Sequence, residues 1–371
     1  MRQIRVLVID DSVVVRRLLA DVVSSDPELQ VVGTAANGRI GLAKIPQVNP
    51  DVVTLDIEMP EMDGLETLAA IREVYKTLPV IVFSTLTERG AATTLDALKL
   101  GATDYVTKPA NAESVASGIE RIRADLIPKI KGVCGHAVGL PEVRRLAPAT
   151  SVPLPAGKPR IVSSRVDIVA IGVSTGGPTA LGALLSELPH DFPVPIVIVQ
   201  HMPPVFTRLL AERLCANAAI EVSEGAAGSV LKPGHAWIAP GGHHMVVARD
   251  GTGIHLELYD GPPENSCRPA VDVLFRSVAA LYGPRTLGVI LTGMGQDGLR
   301  GCEHIWERGG QIIVQDEASS VVWGMPGFVA RAGLADRVLA LDQLGQEITR
   351  RVMAGRLTWR PDSAGAAAQR K

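Results

Sequence analysis

From Ile4 to about Asp125, short runs of aliphatic and β-branched residues alternate with segments whose apolar positions recur at helical spacing. The runs RVLVI, QVVGTAA, VVTL, VIVFS and DYVTK are each followed by such a segment, from VVVRRLLADVVSS to SVASGIERIRADL. Runs such as 52–55 and 80–83 are almost continuously apolar. That predicts strands buried on both faces, in a parallel sheet covered by helices. The pattern predicts an α/β, doubly wound (βα)5 domain over residues 1–125.

Residues 126–164 lose the period, as Pro, Gly, Ala and Ser crowd the text, and read as a linker. Strand and helix patterns resume over 165–355: DIVAIGVS, PTALGALLSEL, PIVIVQ, FTRLLAERLCAN, then AVDVLFRSVAALY, TLGVILTG, LRGCEHIWERG, QIIVQ and DQLGQEITRRVMAG. Between them HAWIAPGGHHMVVARDGTGIHLEL carries the glycine punctuation of hairpins. The second domain is therefore predicted to be a parallel α/β domain with a β-hairpin insertion. Residues 356–371 read as a frayed tail.

A chain of 371 residues is long enough for two cores. Lys plus Arg at 37 against Asp plus Glu at 39 leaves a net charge of -2, so no basic field draws the chain to nucleic acid or anionic membrane. Aromatic residues, at 4%, provide few stacking platforms for single strands or sugars. The cysteines, Cys134, Cys215, Cys267 and Cys302, form no CxxC pair and read as reduced thiols. Cys267, with no histidine near it in sequence, reads as a small buried or loop thiol. With no signal peptide and no apolar run of membrane-spanning length, the sequence predicts a cytoplasmic protein without direct membrane insertion.

In an open parallel sheet, ligands bind beyond the carboxyl ends of the strands. There the first domain places Asp10 and Asp11, then Asp56, Ser84 and Lys108. Three carboxylates on one rim repel each other unless a hard cation such as Mg²⁺ joins them. A lysine and a hydroxyl beside them suit a phosphoryl group. With the DIEMPEMDG run and the Lys108–Pro109 pair, this domain resembles the response-regulator receiver family. The resemblance implies phosphorylation of Asp56, Mg²⁺ held by Asp10, Asp11 and Asp56, and phosphoryl contacts from Ser84 and Lys108.

In the second domain Gly172-Val173-Ser174-Thr175-Gly176 fits a G-x-S-x-G strand-to-helix turn. Two further strand ends deliver His201 and Asp297 to the same rim. Serine becomes a nucleophile when a neutral imidazole takes its proton, and a carboxylate fixes that imidazole's tautomer. Singly, each residue has an ordinary alternative: a helix cap for Ser174 and Asp297, a turn for His201. Together they predict a Ser-His-Asp hydrolase with no cofactor in the ester chemistry. Arg268 is assigned either to an acidic partner surface or to a structural ion pair.

The whole chain, with IGVSTGGP, VQHMP, IAPGGHHM, RPAVDVLFRSVA and LTGMGQDG, resembles the chemotaxis protein-glutamate methylesterase family. That implies hydrolysis of glutamate γ-methyl esters, with deamidation of glutamines, on methyl-accepting chemoreceptors. It also implies a chemotaxis histidine kinase as phosphoryl donor, an oxyanion donor in the Met294 backbone, and a supporting role for Thr175. Two rival readings stand beside it. One is the same triad serving another sensory pathway; the other is a receiver with a non-enzymatic binding output.

Overall fold

In the computed structural model, which describes residues 2–108, 115–135, 165–251, 253–354 and 356, the N-terminal apolar runs become a five-stranded parallel sheet. Its elements are β1 (Ile4–Ile9), α1 (Val13–Ser24), β2 (Leu29–Ala35), α2 (Gly38–Val48), β3 (Val52–Asp56), α3 (Gly64–Val74), β4 (Val80–Ser84), α4 (Glu88–Lys99), β5 (Asp104–Thr107) and α5 (Val115–Val133). The strand order β2-β1-β3-β4-β5 reverses direction between β1 and β3, which opens a crevice at their carboxyl ends. β3 and β4 are buried at every position, as their almost continuously apolar runs predict.

The second domain contains β6 (Ile168–Val173), α6 (Gly177–Ser186), β7 (Ile196–Gln200), α7 (Phe206–Asn217), β8 (Glu221–Glu224), β9 (His235–Ile238), β10 (His244–Asp250) and β11 (Gly253–Tyr259). It continues through α8 (Val271–Tyr282), β12 (Thr286–Ile290), α9 (Leu299–Glu307), β13 (Gln311–Gln315), α10 (Met325–Arg331), β14 (Arg337–Leu339) and α11 (Leu341–Met353). Seven strands form one sheet in the order β14-β13-β12-β6-β7-β9-β8, with every pairing parallel. Here the direction reverses between β6 and β12. The antiparallel pair β10–β11 is the inserted hairpin. β9, from the same glycine-punctuated stretch, instead joins the main sheet beside β7.

Two boundaries differ from the sequence reading. α5 runs to Val133, so residues 126–133, read as the start of the linker, belong to a helix. Leu126 and Ile130 continue the buried stripe begun by Ile122, and this packing holds the helix through Pro128. Arg356, placed with the tail, bonds to the Val166 carbonyl at 2.6 Å and Asp167 Oδ2's partner oxygen Oδ1 at 2.8 Å, closing the domain's end onto its start. Residues 136–164 and 357–371 lie outside the described residues, as does Pro109.

The domains meet along α4, β5 and α5 of the first and α6 and α7 of the second. Tyr105 stacks on Phe206 with ring centroids 5.0 Å apart. The Thr175 hydroxyl donates to Asp104 Oδ2 at 2.8 Å, and both side chains are buried. Around these, Arg208 pairs with Glu88 and Arg213 with Asp96 at the rim. The exposed Arg208–Glu88 pair contributes little, whereas the buried bond to a carboxylate contributes about 1.5–3 kcal/mol.

Candidate active site and receiver pocket

At the β1/β3 crevice, Asp10, Asp11 and Asp56 offer carboxylate oxygens that all lie within 4.8 Å of one another. Lys108 Nζ bonds to Asp56 Oδ1 at 2.7 Å and lies 3.8 Å from Asp10 Oδ2. Asp10 Oδ1 accepts from the Ser12 N–H at 2.8 Å. Asp10 Oδ2 and Asp56 Oδ2 are buried without a hydrogen-bond partner. A cradle of carboxylates with orphaned oxygens fits a hard divalent cation. The Ser84 hydroxyl is turned away toward α4 and donates to the Gly90 carbonyl at 3.1 Å.

Burial and the neighbouring Asp56 raise the Asp10 carboxyl to about 6. Its folded value therefore exceeds its unfolded one, so ionised Asp10 costs stability at neutral pH, and the cost fades as pH falls through about 6. Asp10→Asn should then stabilise the metal-free protein by about 1–2 kcal/mol while weakening Mg²⁺ binding. Thermal melts with and without Mg²⁺ check both halves. An unchanged Mg²⁺ response would remove Asp10 from the site.

At the β6/β12 crevice, Ser174 directly follows β6 and His201 directly follows β7. The register Val173↔Gln200 and the His201 N–H bond to the Val173 carbonyl put the two residues side by side. Ser174 N–H donates across to the Thr292 carbonyl at 3.1 Å, tying the turn to the end of β12. The left-handed backbone that the turn needs falls at Gly176, with φ 77°. Gly293 is required by proximity: a Cβ there would lie 2.9 Å from Ser174 Cβ. Thr175 faces the other way, into the domain interface.

His201 Nε2 bonds Asp297 Oδ2 at 2.8 Å. Asp297 is buried and also accepts from the N–H groups of Val271 (2.7 Å), Asp272 (3.0 Å) and Gly298 (3.0 Å), and from Asn265 Nδ2 (3.0 Å). It thus caps the N-terminus of α8, not only the loop that carries it. Burial pushes its carboxyl up, but the bonds from His201 and these N–H groups hold it below its ordinary value. Asp272 returns the favour to α9, accepting from the N–H groups of Gly298 and Gly301. Asp297→Ala should therefore cost about 2–3 kcal/mol of stability in addition to activity. Urea unfolding, compared with Asp297→Asn, which keeps an acceptor oxygen, measures this. Equal stability of the alanine variant and the wild type would deny the capping role.

The other ring nitrogen, Nδ1, is met by Cys267 Sγ at 3.6 Å. Cys267 is the loop thiol that the sequence suggests, but the fold brings a histidine distant in sequence to it. The residues are 66 apart in sequence, and the loop that carries Cys267 holds Asn265 and Ser266 in left-handed backbone, with φ 51° and 62°. Burial opposes charge on His201, but its bonds to Asp297 and Cys267 outweigh this and raise it to about 10. Arg268 bonds the Gly261 carbonyl at 3.0 Å and lines the cleft. That cleft, about 430 Å³, is walled by His201, Cys267 and Arg268 on one side and by Tyr105, Asp125 and Lys129 of the first domain on the other.

Asn265, Asp272 and the interface residues Asp104, Tyr105 and Phe206 were not singled out in the sequence. Comparison with known proteins agrees with the two-domain geometry. A family model described as CheB methylesterase matches residues 169–348, and one described as response regulator receiver domain matches residues 6–120. A protein-glutamate methylesterase/protein-glutamine glutaminase of Trichodesmium erythraeum is 57% identical over 352 residues, covering 95% of this chain and 100% of its own. Another from Nocardioides sp. is 52% identical over 368 residues, covering 97% and 99%. The solved catalytic domain of Thermotoga maritima CheB methylesterase is 41% identical with a TM-score of 0.49, covering 50% of this chain and 97% of its own. Two relatives more than half identical to it match this receiver fold and the sheet that follows over nearly the whole chain, so the chain belongs to the CheB methylesterase family.

Proposed function

We propose that Ser174, His201 and Asp297 hydrolyse glutamate γ-methyl esters, and deamidate glutamines, on methyl-accepting chemoreceptors, under control of phosphorylation at Asp56. The observation that carries this reading is the ring of His201, anchored through Nε2 to a buried carboxylate beside a serine on the adjacent strand end. With Nε2 committed to Asp297, Nδ1 is the nitrogen left to take the serine proton. Ser174 Oγ attacks the ester carbonyl as its proton passes to His201, and the Met294 N–H faces the developing oxyanion. The imidazolium then gives the proton to departing methanol. Water, deprotonated by His201, cleaves the acyl-enzyme and restores the serine. With a glutamine the leaving group is ammonia.

Asp10, Asp11 and Asp56 would hold Mg²⁺, which supplies neutralising charge for an incoming phosphoryl group. Lys108 contributes a second positive charge at Asp56, and Ser84 a hydroxyl once it leaves the Gly90 carbonyl. Lys108 lies just past β5, and Asp104 and Tyr105 in that same strand make the buried contacts to Thr175 and Phe206. A rearrangement at Lys108 therefore has a short route to the interface that walls the cleft. Among the described residues no helix is long and apolar enough to cross a membrane.

Methanol release from methylated chemoreceptor membranes tests the reading, with Mg²⁺ and with or without a small phosphoryl donor of histidine-kinase type. The donor should raise the rate of wild type and leave Asp56→Asn unaffected. A donor response in Asp56→Asn equal to that of wild type would reject the switch.

A further inference from the structure

The ester chemistry gives Cys267 no task, yet its sulfur faces the one imidazole nitrogen that this chemistry needs. We propose that Cys267 Sγ and His201 Nδ1 form a binding site for a soft divalent cation, Zn²⁺ foremost, that competes with the esterase reaction. The competition rests on the reading of His201 as the base; the cation site rests on geometry alone.

Thiolate and imidazole are preferred zinc donors. Zinc–sulfur and zinc–nitrogen bonds of about 2.3 and 2.05 Å at a tetrahedral angle separate the two donor atoms by about 3.6 Å. Sγ and Nδ1 stand 3.6 Å apart. Metal-bound histidines commonly give their second nitrogen to a carboxylate, which orients the ring and strengthens the donor. Here Asp297 takes Nε2 at 2.8 Å and is itself fixed by the N–H groups of Val271, Asp272 and Gly298. The ring is thus oriented before any cation arrives. Cys267, His201 and Asp297 together offer ligand atoms within 4.8 Å of one another.

Access and selectivity follow from the surroundings. The cleft of about 430 Å³ leaves room for water molecules to complete the coordination. Asp10, Asp11 and Asp56 offer oxygen alone, so the two clusters differ in softness and select different cations. On binding, the Cys267 thiol and the protonated Nδ1 of His201 each release a proton to solvent as the sulfur–zinc and nitrogen–zinc bonds form. Zinc then occupies the Nδ1 lone pair to which Ser174 would pass its proton. The expected result is an esterase inhibited by zinc and restored by a chelator.

The test uses the full chain in saturating Mg²⁺, which keeps the oxygen cluster occupied. Cd²⁺ titration should give a sulfur-to-cadmium charge-transfer band saturating near one equivalent, absent in Cys267→Ser although Cys134, Cys215 and Cys302 remain. Zn²⁺ competition against a chromogenic chelator should show at least tenfold weaker binding in Cys267→Ser and in His201→Gln, with circular dichroism reporting that each is folded. Zn²⁺ should block methanol release by wild type, EDTA should restore it, and whatever rate Cys267→Ser retains should resist the same Zn²⁺ concentration. A band that persists in Cys267→Ser, or zinc affinity unchanged in both variants, would overturn the site. Zinc bound at Cys267 without inhibition would overturn the competition. Tight zinc binding in a protein that never releases methanol would uphold the site and reject the esterase reading instead.

Discussion

Ser174→Ala is expected to lower methanol release from methylated receptors by roughly 10⁴-fold or more, since the loss of a triad nucleophile removes the covalent route altogether. Stability should barely move. The hydroxyl appears in none of the bonds that hold the turn, which run through the backbone: Ser174 N–H to Thr292, Gly177 N–H to the Ser174 carbonyl at 2.8 Å, and Gln200 Nε2 to that carbonyl at 3.0 Å. The pairing of a large kinetic loss with an intact melt separates a nucleophile from a helix cap, whose removal would cost about 1 kcal/mol. Residual release within tenfold of wild type would remove Ser174 from the chemistry. Asp297→Ala is the contrasting case, since its carboxylate both orients His201 and caps α8.

A chain beginning near Arg165 is expected to be active without any phosphoryl donor, and faster than the unphosphorylated full chain. The wall of the cleft opposite His201 consists of Tyr105, Asp125 and Lys129, all of which leave with the first domain. A receptor helix about 10 Å wide has to replace that wall to bring an ester to His201. The loss exposes Phe206 and frees Thr175 from Asp104, but the seven-stranded sheet and the second core, from Ile168 to Val329, remain whole. The fragment should keep Arg356, which fastens its end to Val166 and Asp167. Methanol release, with circular dichroism on the same sample, decides the matter. A folded but inactive fragment would mean that the first domain does more than cover the cleft.

Strand positions were legible because parallel strands buried on both faces are mostly apolar, as β3, β4, β6 and β7 are up to their carboxyl ends. Polar residues at or just past strand ends then mark the crevices, which is why Asp56 at the end of β3, Lys108 after β5, Ser174 after β6 and His201 after β7 could be named from spacing. Shorter elements escaped. β8 is EVSE and β14 is RVL, too brief to show a period, and β14 gains its place only by pairing with β13. α10, MPGFVAR, begins with a proline and a glycine that read as a loop. The extent of α5 was hidden by Pro128, which reads as a breaker until the stripe through Ile130 is seen to be buried. The approach of Cys267 to His201 has no local signal, since it depends on the left-handed residues Asn265 and Ser266. The interface was equally silent, because Asp104 and Phe206 look like ordinary strand and helix residues until the two domains are side by side.

The length of α5 also sets a rule for how the chain can change. Its last turns are held to the first domain by Ile130 in the core and by Lys131, which reaches Asp26 and Glu28 at 2.8 Å. Gly132, between these anchors and the helix end, faces the second domain: a Cβ there would meet Val322 at 3.4 Å and Met294 Sδ at 3.5 Å. Adding or deleting one residue within 126–133 turns everything beyond it by about 100° and shifts it by 1.5 Å, swinging that small face off the Met294 turn. Insertions after the helix cause no such rotation. Variation in length among descendants of this chain should therefore spare residues 126–133, whose number gauges the distance between the two domains.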